Sequence, residues 1–332
     1  DAHASTEDHD AAETSFYLAQ DALSDPSASV LVAMSGSLLS RQLLDRATWC
    51  AREALKLDSG VQGGRLRLAS ALVASGNGQQ ASQILLQELR EDPGNVQALL
   101  LHADVLAESG RTNEACIKLH RVLELEPANV DAHIRAGQFA MEDERWEEAF
   151  IAWGLVRRLY PSHPTASIHV AQTLLAMQRP EAARPLLKEY LDRMDSNADQ
   201  DEKLLVAELL LSASEPTMAS SLLAPLCKEL DDQDPKKVVC LRLLAVTLFA
   251  SGKLDEGAAV SRKVLRFNPQ CISSIHNLAL AGLSNHRYRS SWGWVRRGLA
   301  IDPHDDDLRR LRSQLLWSQI MQVLRKLVGR SK

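Results

Sequence analysis

The sequence predicts an all-α fold, a solenoid of helical hairpins, from three observations: a 34-residue period, small residues paired within each period, and too little Gly and Pro for a β chain. The 332 residues include 16 Gly and 12 Pro and are 45% apolar and 24% charged, with 38 Lys and Arg against 43 Asp and Glu. Such a composition argues against a disordered, collagen-like or disulfide-knit chain. No apolar run reaches about 18 residues, so no membrane-spanning helix is expected.

The period is marked where an acidic, amide or aromatic residue precedes Pro after an apolar run: Asp25-Pro26, Asp92-Pro93, Glu126-Pro127, Tyr160-Pro161, Asp234-Pro235, Asn268-Pro269 and Asp302-Pro303. Each marks a helix end, because Pro drives the residue before it out of helical dihedrals. The intervals are 67, 34, 34, 74, 34 and 34 residues, and the two long ones divide near Asp58-Ser59 and Asp195. A fixed spacing of this kind is the mark of a repeat array.

Taken in order, residues 1–26 form an acidic tail and a lone helix, with seven acids and no Lys or Arg through Asp25. Eight hairpin units follow, near 27–59, 60–93, 94–127, 128–161, 162–195, 196–235, 236–269 and 270–303. Counting each Pro as position 32, position 8 of the next unit is small (Ala69, Ala103, Gly137, Ala171, Ala245, Ala279). Position 20 is usually small too (Ala81, Ala115, Ala149, Ala183, Gly257, Ser291). Small side chains at both sites let two helices close to about 8–10 Å. Leu72, Leu106, Leu174 and Leu248 at position 11 supply the bulk, and Gly76, Gly110 and Gly252 at position 15 suit a left-handed cap that ends the first helix. The unit at 196–235 is six residues longer, read as helices near Glu202–Ser212 and Thr217–Leu230 with the extra residues in SNADQ and the KELDDQ loop. Residues 304–332 form a basic amphipathic capping helix.

The stretch NVQALLLHADVLAESGRTNEACIKLHRVLELEPANVDAH from Asn95, and Trp146 with Ala149 in DERWEEAF, follow the tetratricopeptide repeat (TPR) pattern almost position by position. Over nearly its whole length the chain resembles that family, although the family's Trp at position 4 and Tyr at position 11 are mostly smaller aliphatics here. The resemblance implies one right-handed superhelical array of about eighteen helices. It also implies a non-enzymatic scaffold that holds a peptide or helix of a partner against first-helix positions 2, 5, 9, 12 and 13 and helps to organise a multiprotein assembly. At those positions the sequence offers Leu66, Leu100, Ile134, Met141, Ile168, Leu175, Val246, Phe249 and Leu280 as an apolar stripe. Asp104, Glu108, Gln138, Gln172, Arg242 and His276 are the polar candidates. An apolar stripe with a mostly acidic rim suits an amphipathic helix or an apolar peptide carrying Lys or Arg; the opposing expectation is that tight winding buries much of the stripe. The single Asn277 at position 6 makes neither a carboxylate clamp nor an asparagine ladder.

Chemistry is sparse. No G-x-G-x-x-G, Walker loop, H-E-x-x-H or G-x-S-x-G occurs, so no catalytic residue, resident metal or cofactor is expected. His102, His133 and His169 recur about once per unit and read as core or surface histidines, and Glu147-Glu148 and Asp305-Asp306-Asp307 read as acids at helix beginnings. Asp1-Ala2-His3 would suit Cu(II) or Ni(II) only if Asp1 is a free terminus. The alternative function is the regulatory or substrate-presenting part of a larger enzyme. The five cysteines, odd in number and without C-x-x-C spacing, read as buried thiols in a reducing compartment, which favours the cytoplasm unless a leader was removed.

Charge is unevenly placed. From Arg287 onward eleven basic residues face four acids, so this end is +7 and residues 1–286 are −12. In the last helix Leu308, Leu311, Leu315, Ile320, Val323, Leu324 and Leu327 share one broad face, with Arg309, Arg310, Arg312, Arg325 and Lys326 around it. A helix of this kind caps an array, or touches an acidic partner or an anionic membrane surface. Nucleic acid is not expected, since no aromatic platform accompanies the Arg residues. Self-association through the end faces is a further expectation.

Overall fold

The structure, a computed structural model, describes residues 27–195 and 198–328, with side chains as far as Met321 in the last helix. The expected N-terminal tail and lone helix, the Asp1-Ala2-His3 tripeptide and the side chains of Arg325 and Lys326 lie outside the described residues. Among those described there are seventeen α-helices and no strand.

Two compact units divide the chain at Ala166 and Ser167. The first holds α1 (Ala28–Ser40), α2 (Leu44–Leu57), α3 (Gly64–Ala74), α4 (Gly78–Glu91), α5 (Val96–Glu108), α6 (Thr112–Leu125), α7 (Val130–Glu142) and α8 (Trp146–Leu159). The second holds α9 (Ala166–Ala176), α10 (Pro180–Arg193), α11 (Gln200–Ser212), α12 (Pro216–Glu229), α13 (Pro235–Ala250), α14 (Leu254–Phe267), α15 (Ile272–Ser284), α16 (Tyr288–Ile301) and α17 (Asp306–Val328).

One turn builds each hairpin. Between its two helices a single residue is left-handed: Gln42, Gly76, Gly110, Glu144, Gln178, Ser214, Gly252 and His286, with φ between 56° and 75°. The next amide then reaches back to a carbonyl five residues earlier, as in Asn77 N to Leu72 O at 2.8 Å, Arg145 N to Ala140 O at 2.7 Å and Lys253 N to Leu248 O at 2.9 Å. These bonds satisfy carbonyls that the helix end leaves open. Glycine marks the turn at only three of the eight sites; the others hold the same geometry against a cost of about 1–2 kcal/mol per residue.

Second helices end on one extended residue. Asp58, Asp92, Glu126, Tyr160, Asn268 and Asp302 have φ between −127° and −143°. At all of these but Asp58, which Ser59 follows, this is the conformation that the following Pro imposes. An Asp or Asn there also accepts the amide two residues on, as in Asp302 Oδ1 from His304 N at 2.8 Å and Asp92 Oδ1 from Gly94 N at 3.0 Å. The next first helix is then capped by Asn95, Asn129, Asp199 or Asp234. In the longer unit α13 starts at Pro235, just after the KELDDQ segment, where Asp234 accepts from Lys236 N at 2.8 Å, and it is three residues longer than α5, α7 and α15.

The small residues at positions 8 and 20 close the hairpins. Ala69, Ala81, Ala103, Ala115, Ala149, Ala171, Ala183, Ala245, Ala279 and Ser291 are all fully buried. Ser35 and Ser291 bond across this contact to the Ala47 and Ala279 carbonyls. Gly137 has a specific reason: a Cβ there would lie 2.6 Å from Trp153 Nε1, and Trp153 is itself only 1% exposed. Gly257 likewise receives the Phe249 ring, with a virtual Cβ 2.6 Å from Phe249 Cδ2.

The cysteine expectation is corrected. Cys227 on α12 and Cys240 on α13 form a disulfide, with Cα atoms 5.8 Å apart. Sequence spacing gave no sign of it, because the hairpin-to-hairpin packing brings the two helices together. Cys50, Cys116 and Cys271 are free; burial raises the Cys50 thiol to about 11.

Candidate functional site

Each unit has an inner and an outer wall. In the first, α1 touches α3, α3 touches α5 and α5 touches α7; in the second, α11 touches α13, α13 touches α15 and α15 touches α17. Successive second helices make no comparable contacts, so the stack bends toward the first helices. Positions 5, 9, 12 and 13, the expected partner-facing sites, lie on these first helices.

That wall is less open than the stripe alone suggests. Leu100 is 8% exposed and Ile168 1%, so both belong to the core rather than to an accessible surface. Leu66, Ile134, Met141, Leu175, Val246, Phe249 and Leu280 are half-buried, as are Asp104, Gln172 and His276, whereas Glu108, Gln138 and Arg242 are exposed. The reason is local packing. Leu66 rests against the core formed around Leu68 and Leu85, Phe249 turns onto Gly257, and Leu280 packs beside Val295 and Leu308.

What remains accessible gathers on α5 and α7. Arg135 grips Asp104 with two hydrogen bonds, Nε to Oδ1 at 2.7 Å and Nη2 to Oδ2 at 3.0 Å, and so ties two successive first helices. Half-exposed, this pair contributes about 1 kcal/mol or less to stability, but it fixes the relative position of α5 and α7. Around it Glu108, Asp131 and Glu142 are exposed and make no ion pair among the described residues. Half-buried Ile134 and Met141 lie beside them. Chemically this is an apolar strip edged by carboxylates, suited to a cationic amphipathic ligand.

In the second unit two side-chain pairs tie neighbouring helices. Lys236 reaches Asp201 at 2.8 Å, and Tyr190 donates to Glu202. Cys271, at the start of α15, feels burial raising its pKa, yet hydrogen bonding with Ser273 and Ser274 and the Arg242 charge bring it below the ordinary thiol range.

The terminal helix departs from the expected single face. Leu308, Leu311 and Leu315 are buried against α15 and α16, but Ile320 is 50% exposed, and Leu316, Trp317 and Met321 are exposed beside it. Arg309 is committed to Pro303 O at 2.9 Å, Arg310 stands 3.8 Å from Asp307, and Arg312 is exposed. Sequence reasoning missed Trp317; its helical phase relative to Leu315 is the signal that would have found it. It also missed a cleft of about 530 Å³ between α2 and the end of α3, walled by Trp49, Arg52, Glu53 and Asn77. Among the described residues no group of three or more His, Cys, Asp or Glu could hold a metal ion, and no helix is long and apolar enough to cross a membrane.

Residues 66–119 match the family model described as Tetratricopeptide repeat. No curated protein matches the sequence. A tetratricopeptide repeat protein from Parabacteroides merdae shares the fold at a TM-score of 0.52 and 14% identity, over 72% of this chain and 92% of that one. The structure of pilF from Pseudomonas aeruginosa aligns at 0.49 and 20% identity, over 63% of this chain and 93% of that one. The Cut9–Hcn1 hetero-tetramer structure of APC/C aligns at 0.48 and 13% identity, over 86% of this chain and 55% of that one. Residues 66–119 thus carry a tetratricopeptide-repeat match, and the hairpins of both units have the tetratricopeptide-repeat fold.

Proposed function

We propose that this chain is a non-catalytic scaffold whose α5–α7 inner wall holds a partner's basic amphipathic helix, or an apolar peptide carrying Lys or Arg, within a larger assembly. The repeat match and the fold support a protein-interaction role. The observation that carries the finer reading is the set of exposed, unpaired Glu108, Asp131 and Glu142 beside half-buried Ile134 and Met141. Carboxylates left without cations at the edge of an apolar strip are arranged to receive a cationic ligand.

The test uses exposed residues, because Leu100→Asp or Ile168→Asp would place a charge in the core. The tagged full chain and its Glu108→Lys/Glu142→Lys variant are used to purify partners from the native source, with helicity checked by circular dichroism. The expected outcome is a partner retained by the parent and lost from the variant at unchanged helicity. Equal recovery by both overturns the reading.

A further inference from the structure

We propose that the outboard half of α17 docks on the acid-edged α5–α7 wall of a second copy of this chain; the proposal rests on the binding role assigned to that wall above. The helix changes face along its length. At about 100° per residue, Leu308, Leu311 and Leu315 fall within roughly 60° of one another, and they are 0, 3 and 0% exposed against α15 and α16. Leu316, Trp317, Ile320 and Met321 centre on the opposite side, at 46, 66, 50 and 45% exposure. The docked half therefore fixes the helix while four large apolar side chains, one of them Trp, stand in water. A patch of that kind on a soluble chain marks an interaction site.

Charge selects the occupant. Residues 308–332 contain seven Lys and Arg and no acid. Two copies of α17 laid parallel would bring like charges together, so a parallel helix pair is disfavoured, and an antiparallel pair has only Asp306 and Asp307 of each copy to set against the basic end of the other. The complementary surface is present elsewhere in the same chain. Residues 1–166 hold 14 Lys and Arg against 24 Asp and Glu, whereas residues 167–332 hold 24 against 19. On the described part of the acidic half, Glu108, Asp131 and Glu142 edge Ile134 and Met141 and make no ion pair among the described residues, while Arg135 between them is held by Asp104 and by the Asp131 carbonyl. Arg312, also exposed, sits about one turn before Leu316, at the border of the apolar patch, and can meet that edge.

The contact is heterologous: each copy offers one helix and one wall. One wall and one helix stay free after two copies meet, so assembly continues as an open chain unless the rotation closes it.

Light scattering and sedimentation velocity on the full chain, from low micromolar to submillimolar, test this. The mass is expected to rise with concentration beyond a dimer and to fall in high salt. Trp317→Ser/Ile320→Ser, both solvent-facing, should weaken assembly at least about a hundredfold from the apolar area it removes. Glu108→Lys/Glu142→Lys should also give monomers. Mixing the two variants should restore a one-to-one dimer, because each supplies the element the other lacks. A monomer at every concentration, an oligomer untouched by Trp317→Ser/Ile320→Ser, or no dimer on mixing overturns the proposal. Trp317-dependent binding of a monomeric chain to phosphatidylcholine–phosphatidylserine vesicles overturns it in favour of a lipid surface. The wall's role in partner capture is read separately by the purification above: wall variants that keep self-assembly but lose partners refute only the self-contact, and the reverse result refutes only the partner reading.

Discussion

The two units are built from one hairpin yet differ in what they leave outside it. Seven residues after the left-handed turn, the outer helices of the first unit carry Trp49, Gln83, Ile117 and Ile151, with Ile117 65% and Ile151 62% exposed. The same place in the second unit holds Pro185, Ser221, Ala259 and Gly293. Among the described residues the first unit gathers three unpaired acids, Glu108, Asp131 and Glu142, on successive first helices; the second leaves Glu208 unpaired, pairs Lys236 with Asp201, joins α12 to α13 by a disulfide and ends in a basic helix. Shared register thus constrains the small buried residues and the turns, while the surface positions between them diverge. In an array where each repeat contacts only its neighbours, such differences should act locally.

That locality can be broken at several points. The largest effect is expected from Trp153→Ala in the first unit, which empties a fully buried site beside Gly137 and should cost about 3–5 kcal/mol. Hydrogen exchange by mass spectrometry should show lost protection in α5–α8 with α13–α16 unchanged; uniform loss would mean the units unfold as one. Reducing the disulfide is the converse experiment. Cys227 and Cys240 are 13 residues apart, and opening so short a loop should cost about 3 kcal/mol. Urea unfolding with and without reductant should move only the transition of the second unit.

A pH experiment separates the units again. His102, buried on α5 with Nε2 3.0 Å from Ser82 Oγ, is pushed down to about 4, chiefly by burial and further by Lys118 and Arg111. Its folded value lies below the unfolded 6.5, so its contribution is intact above pH 6.5 and is lost as pH falls toward 4. The loss amounts to about 3 kcal/mol in all. Acid should therefore weaken the first unit across that window, and His102→Gln should flatten the slope of stability against pH. Smaller still, Gly257→Ala should cost about 1–3 kcal/mol by crowding Phe249, and Asn129→Ala about 1 kcal/mol through the lost cap to Ala132 N. Both are read from urea midpoints, the first expected in the second unit and the other in the first.

Much of the fold was legible because it rests on local chemistry. Asp or Asn before Pro both ends a helix and closes the next turn, so Asp92, Asn268 and Asp302 announce the register in one dimension. Alanine at positions 8 and 20 does the same for helix approach. The left-handed turns at Gln42, Glu144, Gln178 and Ser214 were not legible, since nothing in those side chains favours the conformation. At the candidate wall, exposure was not legible. Leu100 and Leu66 look alike as letters, and only their packing makes one core and the other half-open.

By itself the sequence determined the period, the helical class, the close-packed small sites and the charge split between an acidic start and a basic end. These follow from contacts a few residues to one repeat apart. The tertiary structure alone decided which wall residues reach solvent, that Cys227 meets Cys240, and that the apolar face of α17 turns outward after Leu315. Those outcomes depend on where a neighbouring helix stops covering a side chain, and no spacing along the chain records that.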